Sequence, residues 1–470
     1  MPRRDKVHTV PVSLAINPAP KTTTYVGKML SSFWNTLPYS CLYLDLDWRD
    51  LLFAIKECLA LFHSISHDQV IENIKKIWTT PQNPNHVLPC LSVRTGLDLY
   101  LQAKNFPQGS EIIISAVTIP DIPNILHHHG LEVVSLDIDI ETTAPKIELL
   151  KELITERTVA LLLAYIYGKI FDVSPFIEVA KKHNLAVIED LAEGFCGFDY
   201  LGHPDADISL FSFGTIKYCS CMGGAIAKIQ NSADYKKMDQ LQQMYHSQSS
   251  SVYLQKVMKC CMLYVMLDCP KAVRPALFIV QQLNCDYKRN VTKLVRSFPN
   301  NLIHMIRFQP SMALLLVMFH RFQSFRPSQI TICRLKGEYV TCRLPSTVTV
   351  VGHKAPLNCY WLFPIVVENP DLVMHQLNKL GIEAHRSSTQ LTFIESDKSP
   401  NYQPKHPSIE TVPYYPYEAN YMMNNTVYLP VNKGVPFHVL DKICNAVKYI
   451  TKKDCEKSFH SLQPKILSKL

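Results

Sequence analysis

The sequence predicts an α/β fold: a mostly parallel sheet with helices on both faces, followed by a smaller C-terminal α+β domain. Three observations lead there. Between residues 89 and 230, short apolar runs alternate with segments of helical periodicity, the pattern of strands joined by crossover helices. The central runs, such as TVALLLAY, are apolar throughout, which marks strands buried on both faces. Beyond Arg307 strands and helices mix without that regular alternation.

Taken in order, residues 1–88 read as a partly helical arm. Its strongest segment is DWRDLLFAIKECLALFHSI, where Leu51, Leu52, Ile55, Leu59 and Leu61 recur at helical spacing. Residues 89–330 form the large α/β domain. The run Ile112–Ile114 is a strand, a helix-like segment continues through Leu126, LEVVSLDID is a strand and KIELLKELI a helix. Ser174-Pro175 supplies an N-cap and a first-turn proline for PFIEVAKKH, and LAVIED and ISLFSF are the next strands. An apolar, sulfur-rich insertion at about 235–300 interrupts the domain. It reads as a helical segment packed on the body or on a partner subunit; residues 252–283 are also read as a membrane-surface contact. After a helix at PSMALLLVMFHRFQSF, residues 331–470 form the small α+β domain.

Composition narrows the function classes. With 47% hydrophobic and 19% charged residues, the chain is globular rather than disordered. A net charge of +8 from scattered basic residues, with no recognition motif, argues against nucleic acid as a partner. Fifteen cysteines, an odd number at irregular spacings, suit reduced thiols in a cytoplasmic protein better than a disulfide framework. The N-terminus has no secretory pattern, and no run approaches the roughly 20 apolar residues of a membrane span.

In a parallel sheet ligands collect beyond the carboxyl ends of the strands. Three places qualify: the turn before Thr95, Asp190 after LAVIE, and SFGTIKYCSCMGG after ISLF, where Lys217 precedes paired glycines. A phosphorylated pyridine aldehyde needs all three. Its aldehyde needs an amine, its ring nitrogen a carboxylate, and its phosphate a helix N-terminus with hydroxyl donors. Arg94-Thr95-Gly96, Asp190, Ser212 and Lys217 offer these in chain order. By contrast, His127, His128 and His129 cannot share one helix face and read as a solvated helix end, with no metal site expected. Cys219 and Cys221 read as packing beside the site.

The stretch AYIYGKIFDVSPFIEVAKKHNLAVIEDLAEGFCGFDYLGHPDADISLFSFGTIKYCSCMGGAIA carries a Tyr-Gly turn, a helix, I-E-D, S-F-x-x-x-K and a glycine pair in one order. In this the sequence resembles the DegT/DnrJ/EryC1/StrS sugar aminotransferases of the fold-type I pyridoxal-phosphate group, closely over residues 89–230 and more weakly after Arg307. The resemblance implies pyridoxal 5'-phosphate as cofactor, with Lys217 as the Schiff-base lysine and proton carrier and Asp190 as the partner of the pyridinium nitrogen. It places Ser212, Thr95 and Gly96 at the phosphate and Glu193 beside the phenolic oxygen, where the family has glutamine. It implies a small-molecule amino donor, a keto acceptor (a keto sugar in the family) and a homodimer. Further departures are Ile119 where an aromatic stacks, Tyr165 for a histidine, Tyr218 for an asparagine, and Met305 for an asparagine that reaches the neighbouring subunit's phosphate. Lys217 itself argues against the dehydratase branch, which has histidine there. Two other readings stay open: a scaffold that kept the fold without transaminase activity, and a pyridoxal-phosphate enzyme of another reaction type.

Overall fold

The computed structural model describes residues 37–268, 275, 301–386, 390–397 and 415–467. Two helices, α1 (Trp48–Leu59) and α2 (His67–Trp78), precede β1 (His86–Cys90). Asp47 and Asp50 cap α1 reciprocally, each carboxylate accepting the other residue's backbone N–H. The helix ends at Leu59, so Leu61, which the periodicity placed on its apolar stripe, lies beyond it and is 90% exposed. At the other end of the arm, Trp78 is fully buried among Phe195, Phe198, Phe211, Phe213 and Phe322.

The alternation then runs as α3 (Val93–Lys104), β2 (Glu111–Ser115), α4 (Asp121–His128), β3 (Glu132–Leu136), α5 (Ile147–Leu153), β4 (Thr158–Ala164), α6 (Ser174–His183), β5 (Ala186–Leu191), β6 (Ile208–Ser212) and β7 (Ala225–Ile229). These strands make one sheet in the order β1-β7-β6-β5-β4-β2-β3. All pairs from β6 to β3 are parallel, while β7 lies antiparallel to both of its neighbours. The predicted α/β class and mostly parallel sheet are therefore present.

Successive side chains alternate between two cores, as strand geometry requires. Ile113, Leu161, Leu163, Val187 and Phe211 enter one; Ile112, Ile114, Leu162, Ile188 and Leu210 enter the other. Each such aliphatic burial contributes roughly 1.5–3 kcal/mol. α3 packs on the second face through Leu97 and Tyr100. Gly96 permits the close approach, since a Cβ there would stand 2.8 Å from Leu210 Cδ2. One local expectation is corrected. Ser174 is already the first residue of α6, and Val173 is the N-cap, without a side-chain capping bond; Ser174 N–H is instead taken by Asp172.

α7 (Ser232–Gln243), which overlaps the start of the insertion expected at about 235–300, packs on α3 of the body, and the helix α8 (Ser250–Asp268) follows it; residues 269–274 and 276–300 lie outside the described residues. α8 packs against α1 and against α9 (Met312–Gln323). It buries Tyr253, Val257, Cys260 and Leu263 and turns Met258, Met262 and Val265 outward. The insertion's two ends meet at its base, where Gln248 N–H donates to Gln309 O at 2.9 Å and Gln309 N–H to His246 O at 3.0 Å. Among the described residues no helix is long and apolar enough to cross a membrane.

Helix α10 (Pro327–Thr341) leads to a three-stranded antiparallel sheet, β8 (Thr349–Val350), β9 (Pro364–Val366) and β10 (Thr426–Tyr428), in that order. With α11 (Pro370–Lys379) and α12 (Phe437–Leu467) it encloses a third core around Ile365, Leu377, Val427 and Ile443. This is the smaller α+β part the sequence predicts.

The paired glycines sit where the chain turns into β7. Gly224 has φ +84°, and a Cβ there would stand 2.6 Å from Met318 Sδ on α9. Gly224→Ala is therefore expected to lower the unfolding free energy by about 1–3 kcal/mol, read as a lower urea midpoint at unchanged m-value.

Candidate active site

β1, β4, β5 and β6 end at one rim of the sheet, where a cavity of about 150 Å³ opens. Its wall includes Ser92–Arg94 after β1, Asp190 at the end of β5, Ser212 at the end of β6, and Lys217. Glu193, in the turn after β5, also faces it. The apolar and acidic residues of LAVIED follow directly from β5 geometry: Ile188 enters the core, and Asp190 emerges at the strand end with 7% exposure.

Lys217 is held by the loop between β6 and β7, which is tied down at almost every residue. Lys217 N–H donates to Gly214 O at 3.0 Å and Gly224 N–H to Leu91 O at 3.1 Å. Tyr218 O–H donates to Cys359 O at 2.8 Å, and Trp361 Nε1–H to Ile216 O at 2.7 Å. Cys219 N–H donates to Asp45 Oδ2 at 2.7 Å, and Arg321 Nε–H to Ser220 O at 3.1 Å. Cys219 and Met222 adopt φ of 51° and 59°, left-handed conformations that only such surroundings sustain. Both Cys219 and Cys221 are buried, and burial pushes their thiols well above the ordinary range. They pack; they are not thiolates.

The Lys217 Nζ lies 3.1 Å from Glu193 Oε1 and 4.0 Å from the centre of the Trp361 ring. Glu193 Oε2 accepts Tyr167 N–H at 3.1 Å, which fixes the carboxylate. Burial lowers the lysine's pKa, opposed by Glu193 and then by Asp190. Burial also raises Asp190 to about 6, opposed by the Ala192 N–H bond at 3.0 Å and by Lys217. The amine and the acid thus share one cavity and act on each other's charge.

Thr95 and Gly96 are displaced from the expected position. Neither lines the cavity; Ser92, Val93 and Arg94 do. Thr95 is fully buried, its hydroxyl donating to Ile306 O at 2.8 Å and its N–H to Ser92 Oγ at 3.2 Å. Gly96 serves helix-to-sheet packing. The first turn of α3 still faces the cavity, but through the residues just before the predicted pair, because Ser92 rather than Arg94 begins the turn as N-cap. Arg94 is braced by Asp121 at 2.5 Å and by Gln390 at 3.1 Å.

Of the departures, Ile119 lines the cavity, so contact there is aliphatic. Tyr165 also borders it, but its hydroxyl donates to Glu189 at 2.6 Å and its ring stacks on Phe171. Met305 is 38% exposed, in a short helix at Leu302–Ile306, while Arg307 makes two 3.0 Å bonds to the buried Asp98. His129 shares Asp98, whereas His127 bonds Asp397, so the histidine run divides between separate partners. Elsewhere, Cys41, Glu383 and His385 come together in the small part, with Cys41 Sγ donating to the carbonyls of Glu383 and Tyr428.

The reading of the sequence missed Trp361, Lys256 of α8 and Asp45, all brought to the site from distant segments. Their only sequence signal is type: a tryptophan in a chain with 4, a lysine within an apolar run, and an aspartate before a helix cap.

Comparison with known proteins bears on this geometry. Residues 82–274 match the model of the DegT/DnrJ/EryC1/StrS aminotransferase family. The family match begins before residue 89 and extends through α8, farther than the sequence reading placed it. GDP-perosamine synthase of Caulobacter vibrioides is 33% identical over 173 residues, covering 36% of this chain and 46% of that protein. The chain spans less than half the length of the curated relatives it matches. Among solved structures, DesI with its TDP-sugar product superposes with a TM-score of 0.59 at 15% identity, over 92% of this chain and 99% of that one. The GDP-4-keto-6-deoxy-D-mannose-3-dehydratase of Escherichia coli, with bound hydrated pyridoxal phosphate, gives 0.58 at 14%, over 88% and 100%. These likenesses establish the fold-type I architecture across most of the chain.

Asp190 makes a pH prediction for the protein free of cofactor. Its folded pKa, about 6, lies above the ordinary 3.8, so the folded state holds the extra proton between these values. That stability is fully present below about pH 4 and lost as pH rises through 6. Asp190→Asn should remove this loss, gaining on the order of 2–3 kcal/mol relative to wild type between pH 4 and 7, measured by urea unfolding across that range.

Proposed function

We propose that this chain is a pyridoxal 5'-phosphate-dependent aminotransferase that moves an amino group from a small-molecule donor to a keto acceptor. The observation carrying the reading is the juxtaposition of Lys217 and Asp190 in one cavity at the strand ends. The names of the matched relatives support a keto sugar as the acceptor class: one is a GDP-perosamine synthase, and one neighbouring structure holds a TDP-sugar product.

The residues present fit the cofactor. Lys217 is a half-buried amine, Asp190 a buried carboxylate at a strand end, and the first turn of α3 with Ser92 and Ser212 offers phosphate donors. When bound, pyridoxal phosphate supplies an electron sink for a substrate carbanion. The lowered pKa of Lys217 raises the fraction of neutral amine able to take a proton from the substrate carbon and return it. At pH 7 Asp190, near 6, is mostly ionised and able to hold a proton on the ring nitrogen. Glu193 accepts from the Lys217 amine and limits its swing, and Trp361 screens it from water.

One observation favours a second reading. The Lys217 amine is engaged by Glu193, and an ion-paired ammonium is no nucleophile, so a fold retained as a scaffold competes with the enzyme.

Two assembly features belong to the same proposal. The chain works as a homodimer in the cytoplasm, where the cysteines, all free thiols among the described residues, stay reduced. The dimer is supported by the family resemblance and by exposed apolar side chains on the adjoining helices α1 and α8, among them Trp48, Leu52, Met258 and Met262. The alternative occupant of α8 and the following residues to 283 is a membrane surface.

Two measurements decide these points. Wild type should take up pyridoxal phosphate with a new visible absorbance, and borohydride should fix it to the peptide containing Lys217. Lys217→Ala should do neither, and a colourless wild type would favour the scaffold. Light scattering should give a dimer, and Leu52→Asp with Met262→Asp a monomer that does not float with liposomes; flotation of the wild type would favour the membrane.

A further inference from the structure

The two oxygens of Glu193 face donors of different kinds. Oε2 accepts the backbone N–H of Tyr167 at 3.1 Å, and Oε1 lies 3.1 Å from Lys217 Nζ. Tyr167 is itself held firmly. It sits in the turn after β4 with φ 58°, fully buried, its hydroxyl 2.9 Å from that of Tyr428. Gly168 beside it admits the segment before β9, since a Cβ there would stand 2.7 Å from Cys359 Sγ and 2.8 Å from Trp361 N. The same segment brings the Trp361 ring to 4.0 Å from the lysine amine. A buried backbone N–H fixed in this way needs an acceptor, and one oxygen of Glu193 is committed to it.

What remains is the other end of the side chain. In a carboxylate it is a second acceptor, and it pairs with an ammonium. In an amide of the same shape the oxygen would stay with the Tyr167 N–H and the NH2 would turn to the lysine. There a donor suits only the lone pair of a neutral amine. The chemistry of position 193 therefore selects between the charged and the neutral form of Lys217. The surrounding groups do not make this choice redundant. Burial disfavours the lysine's charge, and Glu193 is the first of the groups that favour it. Asp190 of β5 follows, while Arg94 of α3, paired with Asp121, opposes them. Glu193 in turn is faced by Lys217, by Asp190 and by the phenol of Tyr167. Tyr165 and Lys256 of α8 are the other titratable groups lining the cavity.

We propose that Glu193 controls the reactivity of Lys217: by holding the amine as an ammonium it sets the pH above which the lysine captures a carbonyl group. The inference rests on the reading of Lys217 as a carbonyl-capturing amine. Capture requires that the ammonium first lose one proton. The freed lone pair then forms the N–C bond, and the two remaining amine protons leave with the carbonyl oxygen as water. On this account the ion pair is a catch on a reactive amine and not the mark of a scaffold.

The test uses the full chain and formaldehyde, a carbonyl that needs no cofactor site, with cyanoborohydride as hydride donor. Methylation of the peptide containing Lys217 is followed by mass as a function of pH. Glu193→Gln should move the midpoint of this profile down by about one unit or more, so that methylation is about tenfold faster at a pH below both midpoints. Glu193→Ala, which also removes the charge, should move it in the same direction. The exposed Lys181, read in the same digests, should keep its profile throughout. An unshifted or raised Lys217 midpoint in both variants, with wild-type circular dichroism, would overturn the proposal. A second arm repeats the comparison near neutral pH with pyridoxal 5'-phosphate and borohydride, where faster labelling of Glu193→Gln extends the control to the cofactor. If the formaldehyde midpoint shifts while no form of the protein takes up the phosphorylated aldehyde, the control of Lys217 stands and the cofactor reading fails.

Discussion

A lysine amine held out of water at a strand end is costly to keep there, and the rest of the site is arranged around that cost. Desolvation pushes the amine toward its neutral form, while Glu193 at 3.1 Å and the Trp361 ring at 4.0 Å favour the charged one. The balance leaves Lys217 with a lowered pKa, neither a surface ammonium nor a buried neutral group. Position matters as much as charge. The β6–β7 loop takes hydrogen bonds from, or gives them to, residues near the N-terminus, on α9 and in the segment before β9, so the amine is located by three separate parts of the chain.

Asp45 shows how those parts are joined. Its Oδ2 accepts Cys219 N–H, its Oδ1 lies 2.6 Å from Lys433 Nζ, and its carbonyl accepts from Arg321 at 2.5 Å. Arg321 also reaches Asp50 at 2.7 Å, in the cap of α1. One buried carboxylate therefore couples the arm, the lysine loop, α9 and the C-terminal part. Loss of one member would strand a buried charge, which costs far more than a surface pair contributes.

How much of this the sequence discloses depends on range. The sheet was legible because buried parallel strands must be apolar on both faces, and IIIS and TVALLLA are. Asp190 and Lys217 were expected at the rim because residues at and just beyond the carboxyl ends of such strands gather there, and both line the cavity. Ser174 and the pair Thr95-Gly96 were misplaced for a shared reason: helix starts are ambiguous by a residue or two when several capping residues cluster, as Ser92 and Thr95 do. Trp361, Asp45 and Lys256 were not legible, since nothing in local spacing says which distant segment closes over a strand end. Glu193 was expected beside a cofactor's phenolic oxygen, in place of the family's glutamine; its partner in the structure is Lys217 itself.

The pairing of Gln248 with Gln309 has a consequence for how this pocket can evolve. Because the two ends of the excursion leave the body side by side, its length and content are uncoupled from the sheet; lengthening a loop whose ends are already closed adds little entropy cost. The wall bearing Lys256 is in effect a module clipped onto the sheet by that pairing. Selection can exchange it to admit a different ligand while the frame, and the lysine it presents, stay as they are.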